Sequence, residues 1–223
     1  MKLEEWIEKL KKDGDLLSVA KQIPLGENAS GETVFSQTRE KTFTVRHTCV
    51  TGENRTAYIL SLLKTLSCLY EKTQASFLIV SPKFDYSALF SRDMDITIPF
   101  VAKKADLNAI RTCVCELLEL QTRERGCPRL VLVLDGLEEL ETCNENGELQ
   151  EYRDFFELLA RRESVDIITG VELRRSIFSG YPGAFVGVGN ALVTTKEVGQ
   201  ADVTVVGDDS SLSLPIAITY PKI

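Results

Sequence analysis

The chain is nearly without histidine: His47 is the only one in 223 residues. That excludes histidine-rich metal centres and leaves any Cys–His or Ser–His chemistry resting on one imidazole, which its β-branched neighbours place in a strand. No G-x-S-x-G elbow of a serine hydrolase is present. Cys49, Cys68, Cys113, Cys115, Cys127 and Cys143 form no C-x-x-C pair. Most lie in apolar strand or helix contexts, so they read as buried reduced thiols of a cytoplasmic protein, and neither a disulfide framework nor a metal site is expected. No run of 18 apolar residues occurs, so no transmembrane helix is expected. The opening segment carries acids early and has no apolar h-region, the pattern of an amphipathic helix and not of a signal peptide. Positive charge is in deficit: 26 Lys and Arg against 33 Asp and Glu give −7, with a pI near 5.0. Neutralising phosphates needs a basic surface, so strong non-specific DNA binding by this domain alone is not expected. Internal repeats, low-complexity tracts and long linkers are missing too.

What is present is an ordinary globular composition, 43% hydrophobic and 26% charged, long enough to bury a full core. A first helix is expected over residues 3–17, broken by Asp13-Gly14-Asp15. Short strands are expected at 23–26 and 31–35, around a Gly/Asn turn. A β-branched strand over 45–51 leads into a helix over 56–70, with Ile59, Leu62, Leu63, Leu66 and Tyr70 at helical spacing. Residues 76–80, 130–135 and 165–169 are near-continuous apolar runs, as buried parallel strands should be. A short strand at 98–101 and helices over 105–125 and 149–162 complete the alternation. Beyond Gly180 the pattern changes to β-branched pieces at 184–188, 191–195, 203–206 and 216–220, which read as sheet edges and a closing hairpin. The expectation is one α/β domain with a mainly parallel central sheet flanked by helices. Its parts are a leading helix at 1–22, a core at 23–170 and C-terminal edge strands at 171–223.

The segment following the 45–51 strand has the outline of a phosphate-binding loop without the residues that make one work. Strand, glycine, helix is the frame of G-x-x-x-x-G-K-[ST]. In register, Gly52 is the first glycine and Ala57 the second. Tyr58 then stands at the lysine position and Ile59 at the hydroxyl that holds Mg²⁺. Neutral tyrosine offers the phosphates no charge, and isoleucine cannot ligate a metal. A second register puts Arg55-Thr56 at Lys-Ser/Thr but leaves Cys49 and Asn54 at the glycines.

The order of these pieces resembles the motor domain of the FtsK/SpoIIIE family of RecA-like ATPases, over residues 23–169. Ile23-Pro24-Leu25-Gly26 with Gly31-Glu32 resembles that family's P-x-G lead-in, and His47 to Gly52 its strand into the P-loop. Leu78-Ile79-Val80-Ser81-Pro82-Lys83 resembles its I-D-P-K strand end, residues 105–125 its long helix, and Leu130 to Asp135 its Walker B strand. The resemblance implies a RecA-like P-loop NTPase fold. It also exposes consistent departures. The lysine is Tyr58, the Walker B Asp-Glu reads Asp135-Gly136, and the polar residue at the end of the next strand falls near Val171. Turnover needs positioning and charge stabilisation of the transferred phosphoryl group, so no catalytic residue is assigned.

Degenerate motor domains of this kind are typical of type VII secretion ATPases of the EssC/EccC class. By that resemblance the chain is an inactive domain acting as a protein-interaction or assembly module. Its partners would be other ATPase domains or a secretion substrate, and it would meet a membrane only through a parent chain. Gly52, Glu53, Asn54, Arg55, Thr56, Ala57, Tyr58 and Asp135 are the vestigial nucleotide site and candidate partner site. Gly52 and Asp135 are placed at the ends of adjacent strands, with Tyr58 as an exposed anchor. The alternative is an ATP-binding, FtsK-like domain of a DNA translocase, with ATP and Mg²⁺ as cofactors, supported by Arg55-Thr56 and Asp135. Arg55 or Tyr58 filling the phosphate space would favour the first reading; an open, anion-ready loop at Gly52 would favour the second.

Overall fold

The computed structural model describes residues 1–12, 23–36, 46–70, 75–81, 84, 86, 96–99, 112, 115, 116, 119, 129–136, 165–171, 191–205 and 214–223. In chain order its elements begin with α1 (Leu3–Lys12), β1 (Pro24–Asn28), β2 (Thr33–Phe35), β3 (Arg46–Thr51) and α2 (Arg55–Leu69). There follow β4 (Ala75–Ser81), β5 (Ile96–Pro99), β6 (Arg129–Asp135) and β7 (Val165–Val171). The last three are β8 (Ala191–Thr195), β9 (Gln200–Val205) and β10 (Ile216–Thr219). The strand expected at 184–188 and the helix at 149–162 lie outside the described residues. Of the helix expected over 105–125, only Thr112, Cys115, Glu116 and Glu119 are described, and they are helical.

All ten strands join one sheet in the order β2-β1-β10-β9-β8-β3-β7-β6-β4-β5. From β8 to β5 every pairing is parallel. From β8 to β2 every pairing is antiparallel. The sheet is therefore mixed, and the expectation of a mainly parallel one needs correcting. The early hairpin β1–β2 is not a separate lead-in, because β1 pairs with β10 from the far end of the chain. Such a pairing leaves no local trace, since neither short segment carries in its own residues the identity of a neighbour so distant in the chain.

The core runs across both halves of the sheet, from Leu25, Val203 and Ile218 to Val50, Val131 and Ile168. β6 runs intermediate–buried–buried–buried–buried–buried–buried along its length, as a strand covered on both faces must. β8 and β9 instead alternate between buried and more exposed positions, which is the reading for a sheet covered on one face. α2 buries Tyr58, Ile59, Leu60, Ser61, Leu62, Leu63, Thr65 and Leu66. That is too many for a one-sided stripe, because α2 packs on β3, β7 and β8 and also against α1. α1 contributes Trp6, Ile7 and Leu10, the i, i+1, i+4 apolar edge of an otherwise charged helix. Lys9 ties α1 down by donating to Glu27 Oε2 at 2.7 Å and to the Gly31 carbonyl in the β1–β2 turn.

Candidate functional site

The site lies where the parallel strands end. β3 stops at Thr51, and Gly52 turns the chain with φ +101°. A Cβ there would collide with the Oγ1 and carbonyl oxygen of Thr195 at the end of β8, so both the backbone conformation and the space call for glycine. Thr195 Oγ1 donates to the Thr51 carbonyl at 2.8 Å, holding β8 tightly against the loop. The loop itself is short. Arg55 N–H bonds back to the Gly52 carbonyl at 3.3 Å and Tyr58 N–H to the Asn54 carbonyl at 3.1 Å. α2 thus begins at Arg55, with only Glu53 and Asn54 between it and Gly52. Asn54 sits at the N-cap without a side-chain cap bond. Its amide is used elsewhere, donating to the Lys196 carbonyl at 2.5 Å.

The eight sequence-selected residues go in three directions. Glu53 is exposed, and Gly52 and Asn54 engage the β8–β9 hairpin. Arg55 and Thr56 turn across the sheet to Asp135. Arg55 Nε donates to Oδ1 at 3.1 Å, and Thr56 Oγ1 reaches Oδ2 at 3.4 Å. The third direction is inward. Ala57 is half-buried on the first turn of α2, and Tyr58 is 1% exposed. The Tyr58 hydroxyl donates to the Leu25 carbonyl at 2.9 Å, and its ring meets Tyr220 edge-on at 4.8 Å. The expectation of an exposed Tyr58 anchor is therefore corrected: the ring is a core residue joining α2 to β1 and to the residue following β10. Burial, and next the neighbouring Tyr220, push its phenol well above the usual tyrosine range.

Gly52 and Asp135 do not lie on adjacent strands. β7 runs between β3 and β6, which puts the two strand ends about 10 Å apart at two inter-strand spacings. Arg55 and Thr56, on the first turn of α2, both cross to Asp135. Beside Asp135, β7 presents Gly170, where a Cβ would collide with Asp135 Oδ1 and Ile59 Cδ1. Gly136 follows with φ +91° and its N–H on the Gly170 carbonyl at 2.9 Å. Asp135 is only 4% exposed. Tyr86 completes its shell, donating to Oδ2 at 2.8 Å, with Phe84 edge-on to the Tyr86 ring at 4.7 Å. Burial, then the Asp135 charge, push the Tyr86 phenol above its ordinary range, so it keeps the proton it donates.

Sequence reading missed Tyr86, because nothing local marks a tyrosine beyond β4 as the partner of a carboxylate on β6. It also missed Gly170, having ended that strand at Thr169; a glycine closing an apolar strand was the available signal for a close approach. His47 is a buried strand residue, as expected, with Nε2 2.8 Å from Thr169 Oγ1. Burial pushes the Cys49 thiol up to about 11, against a hydrogen bond from Thr169. The buried-thiol expectation is corrected: Cys68 is exposed, and Cys49 and Cys115 are only partly buried.

This geometry can be set beside known proteins. No protein-family model matches the chain, and no curated protein matches it. Solved structures do. ATPases 2 and 3 of Thermomonospora curvata EccC, in complex with a signal sequence peptide, superpose with a TM-score of 0.60 at 14% identity, covering 91% of this chain and 41% of that one. EssC ATPases 2 and 3 from Geobacillus thermodenitrificans give 0.60 at 13%, with 91% and 41% covered. The cytoplasmic domain of the T. curvata type VII secretion ATPase EccC gives 0.63 at 11%, with 91% and 26% covered. The chain has the fold of a type VII secretion ATPase domain. It spans under half the length of the EccC and EssC structures it matches. Among the described residues no helix is long and apolar enough to cross a membrane.

Proposed function

We propose that this chain is a non-hydrolysing, RecA-like ATPase-fold domain that works in the cytoplasm as a protein-interaction or assembly module of type VII secretion. The observation that carries the reading is the Arg55–Asp135 pair at 3.1 Å. An ATPase holds a cation near the loop for the phosphates and a carboxylate opposite it for the metal shell. Here the two neutralise each other. The remaining machinery does not fit Mg·ATP either. The lysine position, Tyr58, is buried and bonded to Leu25, and the hydroxyl position, Ile59, is 0% exposed. The loop spends the Arg55 N–H on its own turn, where a phosphate cradle needs free N–H groups.

The partner class follows from the fold by analogy. The EccC structure holds a signal sequence peptide, and for this chain a secretion substrate segment or a neighbouring ATPase domain is the corresponding partner. Calorimetry with Mg·ATP is the direct test, and no binding is expected. A dissociation constant below about 10 μM, roughly −7 kcal/mol, would move the assignment to an ATP-binding domain, and steady-state turnover near ~1 s⁻¹ would make it an enzyme. Fluorescence anisotropy with a labelled signal-sequence peptide, and co-elution with the other ATPase domains, test the partner half. Binding to neither removes the interaction role.

A further inference from the structure

We propose that Arg55 is an internal cation which, with Tyr86, clasps Asp135 and holds the ends of β3, β4 and β6 in one arrangement without nucleotide. The inference rests on the reading of the chain as a non-hydrolysing domain. Three segments meet at this carboxylate. Arg55 opens α2 just beyond β3, Tyr86 lies beyond the end of β4, and Asp135 is the last residue of β6. In the sheet, β3 and β4 are separated by both β7 and β6. Ladder hydrogen bonds therefore do not join the loop after β3 to the segment after β4. The side-chain cluster does.

Both carboxylate oxygens are engaged. Oδ1 accepts from Arg55 Nε at 3.1 Å, and Oδ2 accepts from the Tyr86 hydroxyl at 2.8 Å and from Thr56 Oγ1 at 3.4 Å. The cluster is also supported from outside. Phe84 packs edge-on against the Tyr86 ring, and Phe84 N–H bonds to Ser81 Oγ at 3.2 Å, which anchors the segment to the end of β4. On β7, Gly170 leaves the space that the Asp135 carboxylate occupies. In a working ATPase the bound metal and phosphates tie such strand ends together. Here a guanidinium and a phenol of the same chain do so.

Amide hydrogen exchange on the whole chain tests the clasp, with Arg55→Met, Arg55→Lys and Tyr86→Phe compared with the unmodified protein. Arg55→Met should speed exchange at Tyr86 and Gly136 by about tenfold or more, although neither is near it in sequence. Tyr86→Phe should loosen residues 52–56 across the sheet, and Arg55→Lys should restore part of the protection. If each substitution loosens only its own segment, the clasp is refuted. If Arg55→Met does not fold, Tyr86→Phe keeps the ring and carries the test alone. Millimolar Mg·ATP should leave exchange of the unmodified protein unchanged. Protection by Mg·ATP together with calorimetric binding would make the chain an ATP-binding domain and overturn the statement that the clasp works without nucleotide. Cross-sheet loosening in the variants decides the clasp independently of that result.

Discussion

Tyr58 is where the residue-by-residue reading turned over. Its position in the loop register was visible, but the direction of its side chain was not, because the first turn of α2 presents residues to three surroundings within four positions. With its ring in the core and its hydroxyl on the Leu25 carbonyl, Tyr58→Ala should destabilise the fold by about 3–5 kcal/mol, as large-to-small aromatic substitutions do. Tyr58→Phe should cost about 1–3 kcal/mol for the carbonyl left unpaired. Chemical denaturation measures both, and partner binding by the still-folded Phe variant should be unchanged. Arg55→Met leaves a carboxylate that is 4% exposed without its cation. Breaking a buried pair usually costs about 3–5 kcal/mol. The retained bonds from Tyr86 and Thr56 place this one at the lower end, and a denaturant midpoint within error of the unmodified protein would refute the pair's contribution. Gly170→Ala is a test from the opposite side: its Cβ must displace the Asp135 carboxylate or Ile59. A destabilisation of about 1–3 kcal/mol, the usual cost of overpacking, is expected even though only one methyl is added.

At the scale of elements, the parallel strands were the easiest to read. Ala75–Ser81, Arg129–Asp135 and Val165–Val171 are apolar nearly throughout because both faces are covered, and that pattern survives without knowledge of neighbours. The edge strand Ile96–Pro99 was expected two residues later; its proline, which cannot donate to a ladder, stands at its end. α2 was legible in extent but not in burial, since α1 covers a face that a two-layer domain would leave to solvent. Its single exposed thiol marks the uncovered side. Cys68 is exposed, whereas Cys49 is held in β3 with its thiol pushed up to about 11. Among the described cysteines Cys49 and Cys115 are intermediate, so a thiol reagent at pH 8 should modify Cys68 first and Cys49, which holds its proton, last. Peptide mapping after brief labelling checks this, and early modification of Cys49 would mean that β3 opens readily. The hairpin β8–β9 has a structural part as well. Thr195 and Lys196 bind the loop at Thr51 and Asn54, so Asn54→Ala should loosen the loop and cost on the order of 1 kcal/mol, the usual net worth of one hydrogen bond.

For the whole molecule, stability should fall on the alkaline side. Cys49 is raised from 9.0 to about 11, and Tyr58 and Tyr86 are raised above 10.0. Each group holds its proton to higher pH in the folded state than in the unfolded one, so the stabilisation is complete below about pH 9 and is lost as pH rises from there. Thermal melts between pH 8 and pH 11 should show a falling midpoint, and a flat profile would place these groups in water. By itself the sequence determined the α/β alternation, the apolar strands, the glycine turn at Gly52 and the loss of lysine, hydroxyl and glutamate, because each is written in local period or residue chemistry. Tertiary structure alone decided that the sheet is half antiparallel, that β7 separates Gly52 from Asp135, that Tyr58 faces inward, and that Arg55 and Tyr86 meet on one carboxylate. Those outcomes depend on which strands pair and which side chains cross between them, and pairing over 190 residues, as between Glu27 and Thr219, follows from burying a shared core and leaves no signature in either segment.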